Sequence, residues 1–270
     1  MSSTSCYIQV GTECMHYLRV GNGSRLLLIF HGYGHDAHAL RIFEPYLTTE
    51  YTCLFFDLPH HGKSSWKEYV NFTSENLQQL VADLMQVNKV EKISLLGYSI
   101  GGRVCLSIVN QIPDRIDRVT LLASDGLRVD NYYRFFTRSG FGKRIFNHML
   151  TEPGQYHKLL VVLKKGKIVH EKRYKFAMHY LSDEATRQQL RKVWPSLAEL
   201  TPDIAALQQT IKKYKVPMVI FMGRYDKIIP PSVAEKFKQG LDSVQVVTLD
   251  TGHRIYDAGN VKMMAETLLH

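Results

Sequence analysis

A serine stands at the centre of a glycine-rich hexapeptide whose composition suits a nucleophile. Residues 97–102 read GYSIGG, the pattern G-x-S-x-G with Ser99 in the middle. An apolar run precedes this hexapeptide and a helix-like stretch follows it. Glycines allow the sharp turn from strand to helix, and the helix N-terminus directs its free N–H groups at the serine. The pattern predicts a nucleophilic Ser99, and the alternative is a tight turn without chemistry.

A serine hydroxyl needs a base, and two later residues could complete a Ser–His–Asp triad. Asp226 follows a strand predicted over 217–223, and His253 follows a strand predicted over 244–249. Groups at the carboxyl ends of parallel strands meet at one edge of the sheet. We therefore predict Ser99 as the nucleophile, His253 as the base and Asp226 as the acid that orients the imidazole. Their order along the chain is the order expected for this triad on such a sheet.

Each of these assignments has an alternative. Asp125, at the end of the preceding strand, competes for the role of the acid. We place Asp226 ahead because its loop would bring it next to the loop of His253. The simpler interpretations are that Asp226 forms a turn before a proline, that His253 is a surface histidine, and that Asp125 caps or hinges the segment after it.

Acyl transfer also needs N–H donors for the oxyanion that develops in the transition state. The backbone N–H of Ile100, at the start of the helix, is one candidate. The second candidate is the backbone N–H of Tyr33 in the segment 31–34 (HGYG), which follows the third strand. The alternative for this segment is an ordinary strand–helix turn.

Strand-like and helix-like stretches alternate through most of the chain. The strand-like stretches are 5–10, 14–20, 25–30, 51–57, 93–97, 119–123, 217–223 and 244–249. The helix-like ones are 37–47, 74–88, the stretch after Ser99, 202–214, 232–238 and 258–269. The alternation predicts an α/β fold with a mostly parallel, eight-stranded, doubly wound sheet. The core domain would comprise 1–126 and 202–270.

The alternation stops between 127 and 201, a helix-like stretch rich in aromatic residues that we predict to be a cap inserted after the sixth strand. This segment holds 15 Lys and Arg against 6 Asp and Glu, whereas the rest of the chain holds 19 of each. The whole net charge of +9 therefore lies in the cap. A solvated face explains such a charge most simply, and the alternative is a field that favours an anionic or amphiphilic substrate.

Five segments together resemble the capped α/β-hydrolase fold superfamily: 31–34 (HGYG), 57–64 (DLPHHGKS), 97–102 (GYSIGG), 223–230 (GRYDKIIP) and 252–253 (GH). Nearly the whole chain is similar, in order, to small esterases, carbon–carbon bond hydrolases and the menaquinone-pathway lyase group. The resemblance implies a nucleophile elbow at Ser99, with Asp226 as the acid and His253 as the base. It also implies an oxyanion hole formed by the N–H groups of Tyr33 and Ile100.

The chain departs from the superfamily pattern at a few positions. His60 stands where D-x-P-G-H-G-x-S has its first glycine, which adds an imidazole near the site or only changes a turn. Ile100 replaces the common methionine, and its N–H is kept. His35 and Asp36 stand where small residues are frequent, as a helix cap or as a polar contact near the entrance.

The leading hypothesis is a serine esterase-like enzyme that cleaves an ester, thioester or related acyl bond through an acyl-enzyme. One alternative is a carbon–carbon bond hydrolase or lyase that uses the Ser–His pair for proton transfer. Another is a non-catalytic ligand-binding module on the same fold. None of these functions needs a cofactor, and no metal site is expected because the adjacent His60 and His61 point apart and a third ligand is not evident.

The expected partner is a small-molecule acyl substrate. No nucleic-acid motif accompanies the positive charge, and no stretch has the ~18–20 apolar residues of a transmembrane segment. Peripheral membrane contact through the basic cap is the weaker alternative to a solvated face. The absence of a signal peptide and the spacing of four cysteines predict a cytoplasmic protein with reduced thiols. A disulfide between Cys6 and Cys14 across the first hairpin is the minor alternative.

Overall fold

An eight-stranded sheet forms the centre of the computed structural model, which describes residues 3–128, 131–165, 174, 181 and 183–270. The strands are β1 (Thr4–Val10), β2 (Glu13–Val20), β3 (Arg25–Phe30), β4 (Tyr51–Phe56), β5 (Ile93–Tyr98), β6 (Ile116–Leu122), β7 (Met218–Gly223) and β8 (Val244–Leu249). Their order in the sheet is β1-β2-β4-β3-β5-β6-β7-β8. The ladders from β4 through β8 are parallel, and β2 is antiparallel to both of its neighbours. The predicted fold class is confirmed.

Ten α-helices lie within the described residues. They are α1 (Glu44–Leu47), α2 (Ser74–Asn88), α3 (Ile100–Gln111), α4 (Asn131–Arg138), α5 (Gly140–Thr151), α6 (Pro153–Lys165), α7 (Glu184–Ser196), α8 (Ile204–Tyr214), α9 (Ser232–Lys238) and α10 (Val261–Leu269). Helix α3 contacts α2 and α8, whereas α10 contacts α1. These helices therefore form two groups that cover the sheet, as a doubly wound fold requires. Within the described residues, every helix is too short or too polar to span a lipid bilayer.

The central strands are buried on both faces because helices cover both sides of the sheet. All six residues of β4 and of β5 are buried, and so are five of the six residues of β3. These continuous apolar runs lack the alternation of a half-exposed strand, which is typical of buried parallel strands. The carboxyl ends of these strands, together with those of β7 and β8, carry the candidate site residues.

One helix was predicted too long. The structure has no helix over the first part of 37–47, where it has turns, a 3-10 helix at Arg41–Phe43 and the four-residue α1. The Oδ1 atom of Asp36 accepts the amide of His38 at 2.9 Å, as an N-cap residue does, but the chain after it continues through turns. Pro45 lies in the first turn of α1, where its missing N–H is tolerated, whereas a helix running through it would lose a bond.

The chain divides into two compact units. The first holds the described residues within Met1–Lys67, Phe72–Val129 and Leu200–His270, and it contains the whole sheet. The second holds those within Glu68–Asn71 and Asp130–Glu199, and it contains α4 to α7.

The second unit has an aromatic interior of its own. The rings of Phe146 and Trp194 stack with centroids 5.5 Å apart and planes 3° from parallel, and Tyr133 meets Trp194 edge to face. Tyr133 and Phe146 are buried, whereas Phe141 is exposed. Of the aromatic residues in the predicted cap, Phe176 and Tyr180 lie outside the described residues. The function of 127–201 as a cap stays a prediction.

All four cysteines are free thiols. In the first hairpin, Cys6 faces Tyr17 and Cys14 faces Gln9, so the two cysteines are not opposite each other. A Cys6–Cys14 disulfide is therefore not formed in this structure.

Candidate active site

Ser99 occupies the turn between β5 and α3 in a conformation that side chains rarely adopt. Its φ is 51° and its ψ is −117°, and it is the N-cap residue of α3. Its N–H donates to the carbonyl of Leu122 at 2.9 Å, and its carbonyl accepts the amides of Gly102 and Asp125, each at 2.9 Å. Three backbone hydrogen bonds therefore hold the serine in a strained position, as is common at functional sites.

Two glycines make this turn sterically possible. A Cβ at position 97 would lie 2.7 Å from the carbonyl oxygen of Gly101, and a Cβ at position 101 would lie 2.1 Å from the carbonyl oxygen of Phe30. Both distances are far shorter than a van der Waals contact. The clashing atoms belong to the backbone, so they cannot rotate away. The spacing of glycines around Ser99 thus follows from the close approach of α3 to the ends of β3 and β5.

The imidazole of His253 reaches the serine from the loop after β8. Its Nε2 lies 3.1 Å from Oγ of Ser99, and its Nδ1 lies 2.7 Å from Oδ2 of Asp226. An Nδ1 atom that donates to a carboxylate leaves Nε2 with a lone pair directed at the hydroxyl. The arrangement can therefore remove a proton from Ser99.

Asp226 lies in the loop after β7 with a fully buried side chain. Its Oδ1 accepts the amides of Ile228 at 2.7 Å and Ile229 at 2.9 Å, while Oδ2 faces His253. These donors compensate the buried carboxylate and fix its orientation. The structure brings together Ser99, His253 and Asp226, which lie in three separate parts of the sequence.

Asp125, the competing acid, has different partners. Its carboxylate forms an ion pair with the buried Arg103, and its Oδ1 accepts the amide of Gly126 at 2.7 Å. Its own amide donates to the carbonyl of Ser99. Asp125 thus helps to hold the turn, whereas the carboxylate hydrogen-bonded to His253 belongs to Asp226.

The two candidate oxyanion donors lie on segments next to Ser99. Ile100 is the first residue of α3, where N–H groups have no acceptor within the helix. The loop that carries Tyr33 approaches the serine closely, since a Cβ on Gly32 would lie 3.3 Å from Cβ of Ser99. The donor roles of both N–H groups remain predictions.

Two buried histidines, His31 and His61, connect this loop to the loop after β4, a role that the sequence analysis did not predict. The Nε2 atom of His31 accepts the amide of Leu58 at 3.1 Å, and Nδ1 donates to the carbonyl of Gly32 at 2.7 Å. The Nε2 atom of His61 accepts the amide of Gly34 at 3.2 Å. Sequence reasoning had only the neighbouring glycines as a signal, because each tie spans 27 residues of chain.

Burial keeps both of these imidazoles neutral. Together with a smaller effect of the nearby imidazole of His61, burial lowers the pKa of His31 to about 3. Burial also lowers the pKa of His61, chiefly against the opposing effect of its hydrogen bond to the carbonyl of Pro59. A neutral ring leaves Nε2 free to accept a backbone amide, so neutrality is what preserves these ties.

His60 adopts the conformation that suits the glycine it replaces. Its φ is 63°, in the left-handed region where histidine is tolerated better than most residues. The turn is therefore kept despite the substitution. Among the described residues, no three His, Cys, Asp or Glu side chains are grouped so that they could hold a metal ion.

Comparisons with known proteins agree with this architecture. Residues 25–259 match the sequence family described as alpha/beta hydrolase fold. The chain is 24% identical to the uncharacterized hydrolase YugF of Bacillus subtilis (strain 168), over 86% of this chain and 85% of that protein. It is also 24% identical to the 2-hydroxy-6-oxo-6-(2'-aminophenyl)hexa-2,4-dienoic acid hydrolase of Metapseudomonas resinovorans, over 87% of this chain and 79% of that enzyme.

The fold is also similar to that of solved structures. A thermophilic esterase from Thermogutta terrifontis superposes with a TM-score of 0.65 at 19% identity. The superposition covers 98% of this chain and 94% of the esterase. At this level of identity the likeness establishes the arrangement of strands and helices.

Proposed function

We propose that this chain, which belongs to the α/β-hydrolase fold family and has hydrolases among its relatives, is a serine hydrolase. It would cleave an ester, thioester or related acyl bond through an acyl-enzyme. The observation that carries the proposal is the chain of hydrogen bonds from Asp226 through His253 to Ser99, which stands at a strained turn between strand and helix.

In the first half of the reaction, Oγ of Ser99 attacks the carbonyl carbon of the substrate and its proton passes to Nε2 of His253. The carboxylate of Asp226 holds the imidazole in the tautomer that can accept this proton, and it stabilises the resulting imidazolium. The N–H groups of Ile100 and Tyr33 would bind the oxyanion, and each such donor contributes roughly 3–4 kcal/mol in related sites.

Collapse of the tetrahedral intermediate then expels the leaving group, which takes its proton from His253. The acyl group remains on Ser99. In the second half, His253 removes a proton from a water molecule, and the hydroxide formed attacks the acyl carbon. The proton returns to Oγ of Ser99, and the acid product leaves.

The proposal also concerns the class of substrate. The segment 127–201 would act as a cap that selects the acyl substrate, and its net charge of +9 favours an anionic or amphiphilic one. The free thiols suit a reducing compartment, and the proposal places the enzyme in the cytoplasm.

A carbon–carbon bond hydrolase or lyase is the second candidate, because one relative is a hydrolase of a hexa-2,4-dienoic acid. In that reaction the Ser99–His253 pair would mainly move protons. Mass spectrometry of a rapidly quenched reaction separates the two candidates, since an acyl group on Ser99 favours the first. Turnover of any acyl ester argues against the third alternative, a non-catalytic binding module.

The test is a panel of esters and thioesters of varied chain length, read together with a serine-reactive phosphonate probe. We expect Ser99→Ala to lower kcat/KM by about 10³-fold or more and to abolish labelling. Ser5→Ala is a matched control, because Oγ of Ser5 also lies within hydrogen-bond distance of a histidine, 2.8 Å from Nε2 of His16. Unchanged hydrolysis in Ser99→Ala would rule out the mechanism.

A further inference from the structure

Arg254 directly follows His253 and places a positive charge beside the candidate base. Its side chain is exposed, and its Cζ lies 5.6 Å from the centroid of the Tyr256 ring. Within the part of the chain that the structure describes, no carboxylate forms an ion pair with it.

His35 is a second polar residue near the imidazole of His253, and its ring nitrogens can form hydrogen bonds that the described residues do not supply. Its ring stacks on Tyr98 with centroids 5.7 Å apart and planes 16° from parallel. Its Nδ1 is buried, and neither ring nitrogen has a hydrogen-bond partner among the described residues. Burial lowers the pKa of His35 and the charge of Arg254 lowers it further, against the opposing effect of the Asp36 carboxylate, so the neutral ring is favoured near pH 7.

Tyr98 connects these groups to the candidate base. Its ring lies 5.5 Å from that of His253 and 5.0 Å from that of Tyr256, measured between centroids. His35 is therefore separated from His253 by one aromatic ring, and Arg254 is connected to the same Tyr98 ring through Tyr256. Both belong to the unit that contains the sheet.

Two carboxylates of this region already accept other hydrogen bonds. Asp226 is held by two amides and by His253, and Oδ1 of Asp36 accepts the amide of His38 at 2.9 Å. A negative charge supplied by the substrate would give the guanidinium of Arg254 the counter-ion that the described residues do not supply.

We propose that Arg254 and His35 form a subsite for a carboxylate carried by the acyl substrate, beside His253. The guanidinium would donate to the carboxylate oxygens, and the neutral imidazole of His35 would donate one further N–H. The inference rests on the proposed function and narrows its substrate class to anionic acyl compounds. It assigns their recognition to the sheet-containing unit, independently of the basic cap.

The test compares pairs of esters that differ only in charge. One pair is the mono-4-nitrophenyl ester of glutaric acid and 4-nitrophenyl pentanoate, in which a methyl group replaces the carboxylate. The other is 4-butyryloxybenzoate and phenyl butyrate, which places the charge on the leaving group. We expect kcat/KM to favour at least one anionic ester, and Arg254→Gln to lower that preference by about tenfold. Hydrolysis of the neutral esters should change less than twofold.

Two further variants separate substrate charge from general effects. Arg115→Gln removes the same charge from an exposed residue just before β6, at the opposite end of the strands, and should leave the preference intact. His35→Phe keeps a ring on Tyr98 without the N–H, and should lower only the anionic rates, by about threefold. Equal losses for neutral and anionic esters in Arg254→Gln would overturn the proposal, and so would a wild-type enzyme without preference.

A binding measurement tests the proposed carboxylate subsite separately from the proposed reaction at Ser99. In the Ser99→Ala background, calorimetry with the mono-anilide of glutaric acid and with pentananilide reports the subsite without any turnover. We expect tighter binding of the anionic anilide, lost when Arg254→Gln is added. Equal binding of both anilides overturns the subsite even if Ser99 proves to be the nucleophile, whereas a charge preference stands even if Ser99→Ala retains activity.

Discussion

The Nδ1 atom of His16 lies 2.7 Å from Oδ2 of Asp57, the same distance that separates Nδ1 of His253 from Oδ2 of Asp226. On the other side of its ring, Nε2 of His16 lies 2.8 Å from Oγ of Ser5. The described residues therefore contain two Ser–His–Asp sets of hydrogen bonds. Side-chain geometry alone does not distinguish them.

The backbone around each serine does distinguish them. Ser5 lies within β1, in a regular antiparallel ladder, whereas Ser99 caps the N-terminus of α3 with a left-handed φ. A helix N-terminus directs several free N–H groups at one point, where an oxyanion can bind, and a regular β-strand does not. Asp57 also accepts the amides of Ala37 at 2.6 Å and Lys63 at 2.7 Å, which gives its set a structural role.

The first prediction concerns stability. Asp57→Ala removes the acceptor of two backbone amides and leaves the buried His16 without its carboxylate, so we expect the free energy of unfolding to fall by about 3 kcal/mol. Urea denaturation measures this loss. Ser5→Ala should cost about 1 kcal/mol or less, because Ser5 is exposed. Equal losses in the two variants would show that the Asp57 bonds carry little stability.

The second prediction separates the two acids. Asp226→Asn keeps an acceptor for the amides of Ile228 and Ile229 but favours the wrong tautomer of His253, so we expect kcat/KM to fall by about 10²–10⁴-fold. Asp125→Asn weakens the ion pair with Arg103, so it should lower Tm and leave kcat/KM within about fivefold. Steady-state kinetics and thermal melts check both variants. A larger kinetic loss in Asp125→Asn would reassign the acid.

The sequence predicted the parts of this molecule that local pattern determines. The boundaries of β3 follow from a continuous apolar run, and the position of Ser99 follows from glycines within two residues. The grouping of Asp226 and His253 was predicted because parallel strands end at one edge of a sheet. No local pattern reports that His16 would meet Asp57, since 41 residues separate them.

The helix predicted over 37–47 was too long for the same reason, a contact between residues distant in sequence. Its apolar residues have helical spacing, yet the amide of Ala37 donates to Oδ1 of Asp57, a residue from another loop. A tertiary hydrogen bond thus fixes the backbone at the start of this segment, and no local pattern reports it. The ties made by His31 and His61 were missed for the same reason, because each joins two loops that are distant in sequence.

The third prediction concerns pH. Burial lowers the pKa of His31 to about 3 in the folded protein, from an ordinary value of 6.5. The unfolded chain therefore binds a proton below pH 6.5 that the folded protein does not. The stability contributed by neutral His31 is complete above pH 6.5 and is lost as pH falls toward 3, by about 1.4 kcal/mol per pH unit.

A variant isolates this titration from that of other groups. In His31→Gln, Oε1 can accept the amide of Leu58 in place of Nε2, and the side chain does not titrate. We expect the difference in free energy of unfolding between wild type and variant to shrink by about 2.5 kcal/mol between pH 7 and pH 4.5. Urea denaturation at both pH values measures it. Parallel pH profiles would mean that His31 does not titrate between folded and unfolded states.

The fourth prediction tests the loop that would supply the second oxyanion donor. A Cβ on Gly32 would lie 2.6 Å from the ring of Tyr98 and 3.3 Å from Cβ of Ser99, so Gly32→Ala must displace the loop from the serine. If Tyr33 N–H binds the oxyanion, kcat should fall by about 10²–10³-fold, because the donor is needed in the transition state. Rapid-quench kinetics with an ester measures the acylation step directly.

Gly252→Ala is the matched control for this loop variant. Gly252 precedes His253, its φ is not in the left-handed region, and a Cβ there would have no atom within 4 Å. The substitution therefore adds the same methyl group near the candidate base without displacing anything, and we expect kcat to change less than about threefold. If Gly32→Ala and Gly252→Ala lower kcat equally, proximity to the site is enough to explain the loss. If Gly32→Ala lowers only Tm, the second donor must come from a different segment than 31–34, since displacing this loop would then leave the oxyanion stabilised.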